Sequence, residues 1–145
     1  MYILSTNISF DAAHFLKDYN GKCGNIHGHR WKVVVDAGFT ELKEDKQERG
    51  MGMDFSLLKD DLKVITDGFD HQFIIEKGSL SKELFGMLIK EGFNIVELPF
   101  RPTAENFAKY FYDELNKKNY DIISVSVYET PNNMAKYSGE KNECL

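Results

Sequence analysis

The chain has 145 residues, 42% of them apolar and 13% aromatic, enough to bury a core as one domain and too apolar for a disordered segment. Its net charge of −5 argues against a general nucleic-acid surface, which needs basic excess to neutralise phosphates, but leaves room for a small anionic ligand. No apolar run approaches the ~20 residues of a membrane span, the N-terminal residues lack a signal-peptide pattern, and two distant cysteines make no disulfide framework.

A cytoplasmic chain without nucleic-acid or membrane partners is therefore expected. Residues 2–10 alternate, with Tyr2, Leu4, Ile8 and Phe10 on one side and Ser5, Asn7 and Ser9 on the other, as in a half-buried strand that runs into Asp11-Ala12-Ala13-His14. A polar loop over 17–22 follows. The second strand spans about 27–39, and its odd positions (His27, His29, Trp31, Val33, Val35, Ala37, Phe39) form the buried face. If the two strands pair as a hairpin, His14 comes beside His27 and His29. Residues 40–52 read as a surface loop. Asp54 caps a helix carrying Phe55, Leu58, Leu62 and Ile65, which Gly68 stops; Asp70-His71 follow in a loop.

A second helical pattern starts after Ser79 with Leu80, Leu84, Phe85, Leu88 and Ile89, and ends at Gly92. Residues 93–100 are strand-like. Thr103 caps a third helix with Phe107, Tyr110, Phe111 and Leu115. A strand then places Ile123, Val125, Val127 and Glu129 on one face, and a turn at Pro131-Asn132-Asn133 leads to a short extended piece near 134–137. Strands at both ends with helices between them predict an α+β fold: one domain over 1–137, an antiparallel sheet with helices on one face, and a loose polar tail over 138–145.

The chemistry concentrates in Cys23-Gly24-Asn25-Ile26-His27-Gly28-His29. Three of the chain's four histidines, His14 included, lie near one of its two cysteines. A His-x-His pair on an apolar strand face is more often a hydrogen-bonded core feature. His14 at the matching end of a neighbouring strand shifts the balance toward a catalytic zinc, three nitrogens leaving the coordination shell open. Iron would accept the same donors. Cys23 reads equally well as a fourth ligand or as a reactive thiolate beside Lys22. Asp70-His71 would ordinarily be a solvated pair, and its functional reading is a carboxylate that orients a proton-shuttling imidazole. Glu129 extends an apolar face, where a carboxylate needs a partner such as the amino and ring N–H groups of a flat heterocycle. Thr103 and Glu105 suit a helix cap and a helix dipole as well as any ligand.

Together, Phe10-Asp11-Ala12-Ala13-His14, the Cys23–His29 cluster, Met53-Asp54-Phe55, Asp70-His71, Pro102-Thr103-Ala104-Glu105-Asn106 and Glu129-Thr130-Pro131 stand in the order of one family. Over roughly residues 2–137 the chain resembles the 6-pyruvoyl-tetrahydropterin synthase family. The spacing of Cys23 and His27 is most similar to its carboxy-forming bacterial branch of the queuosine pathway. The resemblance implies the tunnelling fold (T-fold), a four-stranded sheet per subunit joined with its neighbours into a barrel, typically a homohexamer of two trimers. It implies zinc on His14, His27 and His29, Cys23 as proton acceptor, Asp70 and His71 as a relay that can serve a neighbouring subunit, and Glu129 as pterin anchor and relay member with the Thr103–Glu105 segment.

The implied reaction is that of a lyase turning 7,8-dihydroneopterin triphosphate into 6-carboxy-tetrahydropterin, with loss of acetaldehyde and triphosphate. A pyruvoyl-forming activity on the same substrate is the neighbouring alternative; a noncatalytic zinc-binding assembly protein closed by Cys23 is the alternative from another class. Two departures stand out: Gln72-Phe73-Ile74 replace the Leu-Asn common after the relay pair, and residues 76–100 read as an insertion carrying an extra helix. Lys17, Lys22 and Arg30 are candidates for phosphate contact, with nothing to choose among them.

Overall fold

In a computed structural model describing residues 1–140, the two long alternating segments form the expected hairpin. Strand β1 (Tyr2–His14) runs antiparallel to β2 (His27–Phe39) along the whole length of both. The alternation acts as read: Thr6, Phe10, Ala12 and His14 turn inward with Trp31, Val33, Val35 and Ala37, and Ser5, Asn7 and Ser9 turn outward. Two helices cover the inner face. Helix α1 (Phe55–Asp67) begins where the Asp54 carboxylate accepts the Ser56 N–H, and buries Leu58 and Leu62.

Strand β3 (Phe73–Glu76), helix α2 (Lys82–Lys90) and strand β4 (Ile95–Leu98) follow; helix α3 (Ala104–Asn116) then buries Phe107, Phe111 and Leu115 completely. Phe107 meets Trp31 edge-on at 5.2 Å between ring centroids, which joins helix and sheet beneath the histidines. The chain closes with β5 (Ile122–Thr130) and β6 (Asn133–Tyr137).

The expected antiparallel strands are present as β1, β2, β5 and β6, but the four-stranded count is corrected to six, in the order β4-β3-β1-β2-β5-β6. The two extra strands pair in parallel, β3 with β1 and β4 with β3. The connection through α2 makes β3-α2-β4 a crossover unit, and a crossover delivers parallel neighbours. Phe73–Glu76 escapes sequence reading because four residues show no alternation, its two central isoleucines being buried together. Helix α2 starts later than expected, since the Ser81 hydroxyl, not Ser79, accepts the Leu84 N–H at 3.1 Å. It buries none of its residues, so the placement of helices on one face describes α1 and α3.

A second correction concerns β5. Against β2, Ser124 pairs with Asp36 but Ile122 with Ala37, so Ile123 is an extra, bulged residue and Ile122 takes its expected place in the core. Residues 138–140 carry no regular element; the rest of the expected loose tail, 141–145, lies outside the described residues. No helix among the described residues is long and apolar enough to cross a membrane.

Candidate functional site

Strand register builds the centre of the site. His14 sits directly opposite His27, and Ala12 opposite His29, so the three imidazoles converge at one end of the hairpin. Their ring centroids lie 4.5 Å (His14–His27), 5.1 Å (His14–His29) and 4.9 Å (His27–His29) apart. Trp31 forms the floor, with its ring edge-on to His14 and His29.

Backbone carbonyls fix two of the tautomers. The Nδ1–H of His14 donates to Pro102 O and that of His27 to Asn25 O, both at 2.7 Å. This leaves two lone-pair-bearing Nε2 atoms facing each other at 3.0 Å, an arrangement that repels unless something positive lies between them. The Nε2 of His29 is buried without a hydrogen-bond partner, a costly state for a polar atom. Burial first of all, then the neighbouring imidazoles, lowers the His14 pKa to about 4 against the pull of its Pro102 bond. His29 is lowered too, by burial and then by His27. His14 and His29 are thus held toward the neutral form, and imidazoles oriented by outer partners are what a metal ion requires. Among the described residues, these three form a group able to hold a metal, with ligand atoms within 4.8 Å of one another.

Cys23 is not a member of that group. It is a half-exposed free thiol in a 3₁₀ turn, Lys22–Gly24. Leu16 N–H holds the Cys23 carbonyl at 2.8 Å.

Asp70 and His71 are clasped to β1 at Asp11. The Asp11 N–H donates to the Asp70 carboxylate at 3.0 Å, and the His71 N–H to the Asp11 carbonyl at 2.7 Å. His71 adopts a positive φ of 57°, uncommon for a residue with a side chain. Its Nδ1 lies 3.0 Å from the Asp70 carboxylate, and its side chain is 79% exposed. The Asp11 N–H foremost, then His71, holds the Asp70 carboxyl below its ordinary pKa. Asp11 pairs with Arg30 at 3.1 Å, and these two belong to the strand face opposite the histidine triad. His71 and His29 nevertheless line one cavity of about 640 Å³ with Gly28, Arg30 and Phe93. A Cβ at Gly28 would meet nothing closer than Ala12 O at 3.5 Å, so the missing side chain leaves the cavity open at this point.

Glu129 is the extra residue of a bulge between β5 and β6, where Tyr128 pairs with Met134 and Thr130 with Asn133. It shares a small cavity of about 130 Å³ with Glu105 and Asn133. Burial first, then the Glu105 charge, raises the Glu129 pKa. Thr103 is engaged as the cap of α3, accepting the Asn106 N–H at 3.3 Å.

The partners that sequence reading misses are Pro102 and Asn25, which act through backbone carbonyls, and Asp11, whose main chain holds the Asp70–His71 loop. Backbone acceptors leave no side-chain signature. Pro102 stands in a motif the sequence already offered, but nothing there marks its carbonyl as the acceptor for His14.

Comparison with known proteins agrees with this architecture. The family model described as 6-pyruvoyl tetrahydropterin synthase matches residues 3–140. The chain is similar to the 6-carboxy-5,6,7,8-tetrahydropterin synthase of Haemophilus influenzae, with 36% identity over 79% of this chain and 82% of that one. It is also similar to the protein of that name from Rickettsia conorii, with 37% identity over 74% and 75%. Among solved structures, an uncharacterized protein from Wolinella succinogenes superposes with a TM-score of 0.76 at 20% identity, covering 96% of this chain and 98% of that one. The 6-pyruvoyl tetrahydropterin synthase of Caenorhabditis elegans gives 0.65 at 26% identity, over 96% of each chain. The chain belongs to the 6-pyruvoyl tetrahydropterin synthase family. Its fold is the tunnelling fold of that family, and the enzyme reading of the sequence holds at this level.

Proposed function

We propose that this chain is a zinc-dependent 6-carboxy-5,6,7,8-tetrahydropterin synthase of the cytoplasm. It converts 7,8-dihydroneopterin triphosphate to 6-carboxy-tetrahydropterin, acetaldehyde and triphosphate, on the way to queuosine. The observation that carries the reading is the centre of three converging imidazoles, His14, His27 and His29, with an orphaned nitrogen at its heart. The relatives that share the chain at 36% and 37% identity, and carry the carboxy-forming name, support the choice of product.

Zinc bound by the triad would supply Lewis acidity, acidifying the side-chain hydroxyls of the substrate and polarising the carbonyl that forms. Cys23, in its turn beside Lys22, takes a proton as thiolate. Asp70, kept ionised by the Asp11 N–H and His71, holds the His71 Nδ1 and leaves Nε2 free to pass that proton on. Burial disfavours the Glu129 carboxylate until donors reach it, and a pterin's amino and ring N–H groups are such donors. The Thr103–Glu105 segment closes the same side of the ring. In this reading Asp70 and His71, held to the Asp11 main chain, serve the Cys23 of a neighbouring subunit in a homohexamer built as two trimers.

Incubation of the purified protein with 7,8-dihydroneopterin triphosphate, followed by product identification, tests this. Acetaldehyde and the carboxypterin are expected. A pyruvoyl product without acetaldehyde would move the chain to the pyruvoyl-forming activity, and no turnover by metal-loaded protein would leave a noncatalytic zinc protein.

A further inference from the structure

Several parts of the site meet at one short segment, residues 101–106. The Pro102 carbonyl orients His14, the Thr103 hydroxyl starts α3, and Glu105 borders the cavity of Glu129. Arg101 faces the other way, toward the loop that carries Cys23. Its Nη2–H donates to the Lys17 carbonyl, and its guanidinium lies over the Tyr19 ring, 5.9 Å from the centroid.

Tyr19 is the residue around which that loop is folded. A Cβ at Gly24 would come within 2.6 Å of the Tyr19 carbonyl, and one at Gly21 within 2.7 Å of the Tyr19 ring. The Tyr19 N–H donates to Leu16 O at 3.3 Å, and the Leu16 N–H to Cys23 O at 2.8 Å. On its own side, Arg101 is fixed by its carbonyl, which accepts Thr103 N–H at 2.8 Å and Asn106 Nδ2–H at 2.9 Å. A continuous set of contacts therefore runs from the residues that orient His14 to the backbone of Cys23.

We propose that Arg101 is a positioning residue, holding the Cys23 loop against the segment that orients His14 so that thiol and metal centre keep a fixed relation. The proposal rests on the reading of Cys23 as proton acceptor. A planar guanidinium suits the task because it can donate to a carbonyl while lying on an aromatic ring, which an ammonium does less well.

The test compares Arg101→Ala and Arg101→Lys with the wild-type protein. In Arg101→Ala, amide hydrogen exchange over residues 16–25 should rise severalfold, while exchange in β1 and β2 and the metal content stay at wild-type levels. Turnover should fall about 10- to 100-fold, the effect of a misplaced catalytic group, with KM little changed. Arg101→Lys should recover part of both losses, since its ammonium can still reach the Lys17 carbonyl.

Wild-type exchange and turnover in Arg101→Ala would overturn the proposal. So would parallel loss of metal and of β1 and β2 protection in both variants, which would make Arg101 a general stabiliser of the fold. If wild-type protein makes no product from the pterin triphosphate, the functional reading fails, and the exchange comparison still decides whether Arg101 anchors the loop.

Discussion

Proton placement decides what the three imidazoles can do. With Nδ1–H committed to the carbonyls of Pro102 and Asn25, His14 and His27 present bare Nε2 atoms to each other, and the buried Nε2 of His29 completes the set. His29→Ala should reduce metal affinity by more than the about 10- to 100-fold typical of outer-shell changes, measurable by competition with a chromophoric chelator. Cys23→Ala should keep the metal and the fold and lose turnover; metal loss in that variant would make Cys23 a ligand instead. The metal-stripped protein should also be sensitive to acid. The folded pKa of His14, about 4, lies below its ordinary 6.5, so the unfolded chain binds the proton more readily between those values. The stability contributed by the neutral imidazole is complete above about 6.5 and is lost as pH falls toward about 4. Denaturant midpoints across that window should decline, and a flat profile would contradict the burial of His14. At this scale the side chains were legible in the sequence because His and Cys are rare. Their orienting carbonyls were not, since a backbone acceptor belongs to every residue alike.

At the scale of elements, pairing register does the work. Period-two alternation announced β1 and β2, and the antiparallel register alone carries His14 to His27. The two bulges in β5 were not legible, because an inserted residue shows only against a partner strand. One exchanges Ile122 for Ile123 in the core, and the other leaves Glu129 unpaired and re-aimed toward Glu105 and Asn133. Glu129→Ala should therefore weaken binding of a pterin analogue in titration while leaving the sheet intact; unchanged affinity would remove Glu129 from the ring site. Helix α3 was legible from its aromatic stripe. Phe107, wholly buried against Trp31 and Phe111, should cost about 3–5 kcal/mol when truncated to Ala, read from chemical unfolding.

At the scale of the molecule, the sheet ends in two edges, β4 and β6, and its two faces carry different chemistry. The triad lies under the helices' side, Asp11 and Arg30 turn the other way, and the Asp70–His71 loop is held to the Asp11 main chain with its imidazole open to solvent. Unpaired edges call for partners, and the proposed sharing of the site between subunits would give that partnering a catalytic use. Sedimentation should find an assembly of several chains, and a monomer with full turnover would contradict the shared site. The segment 76–100, read from sequence as an insertion, carries α2 and β4, with Leu84, Met87 and Ile89 exposed on the helix. Its parallel pairing had no signal in so short a strand. All of these roles depend on the histidine centre, and metal analysis of purified wild-type protein beside His29→Ala tests it most directly. One divalent ion per chain in the wild type and none in the variant is expected. A wild-type protein that binds no divalent ion, or a variant that keeps it, would contradict the three-imidazole centre.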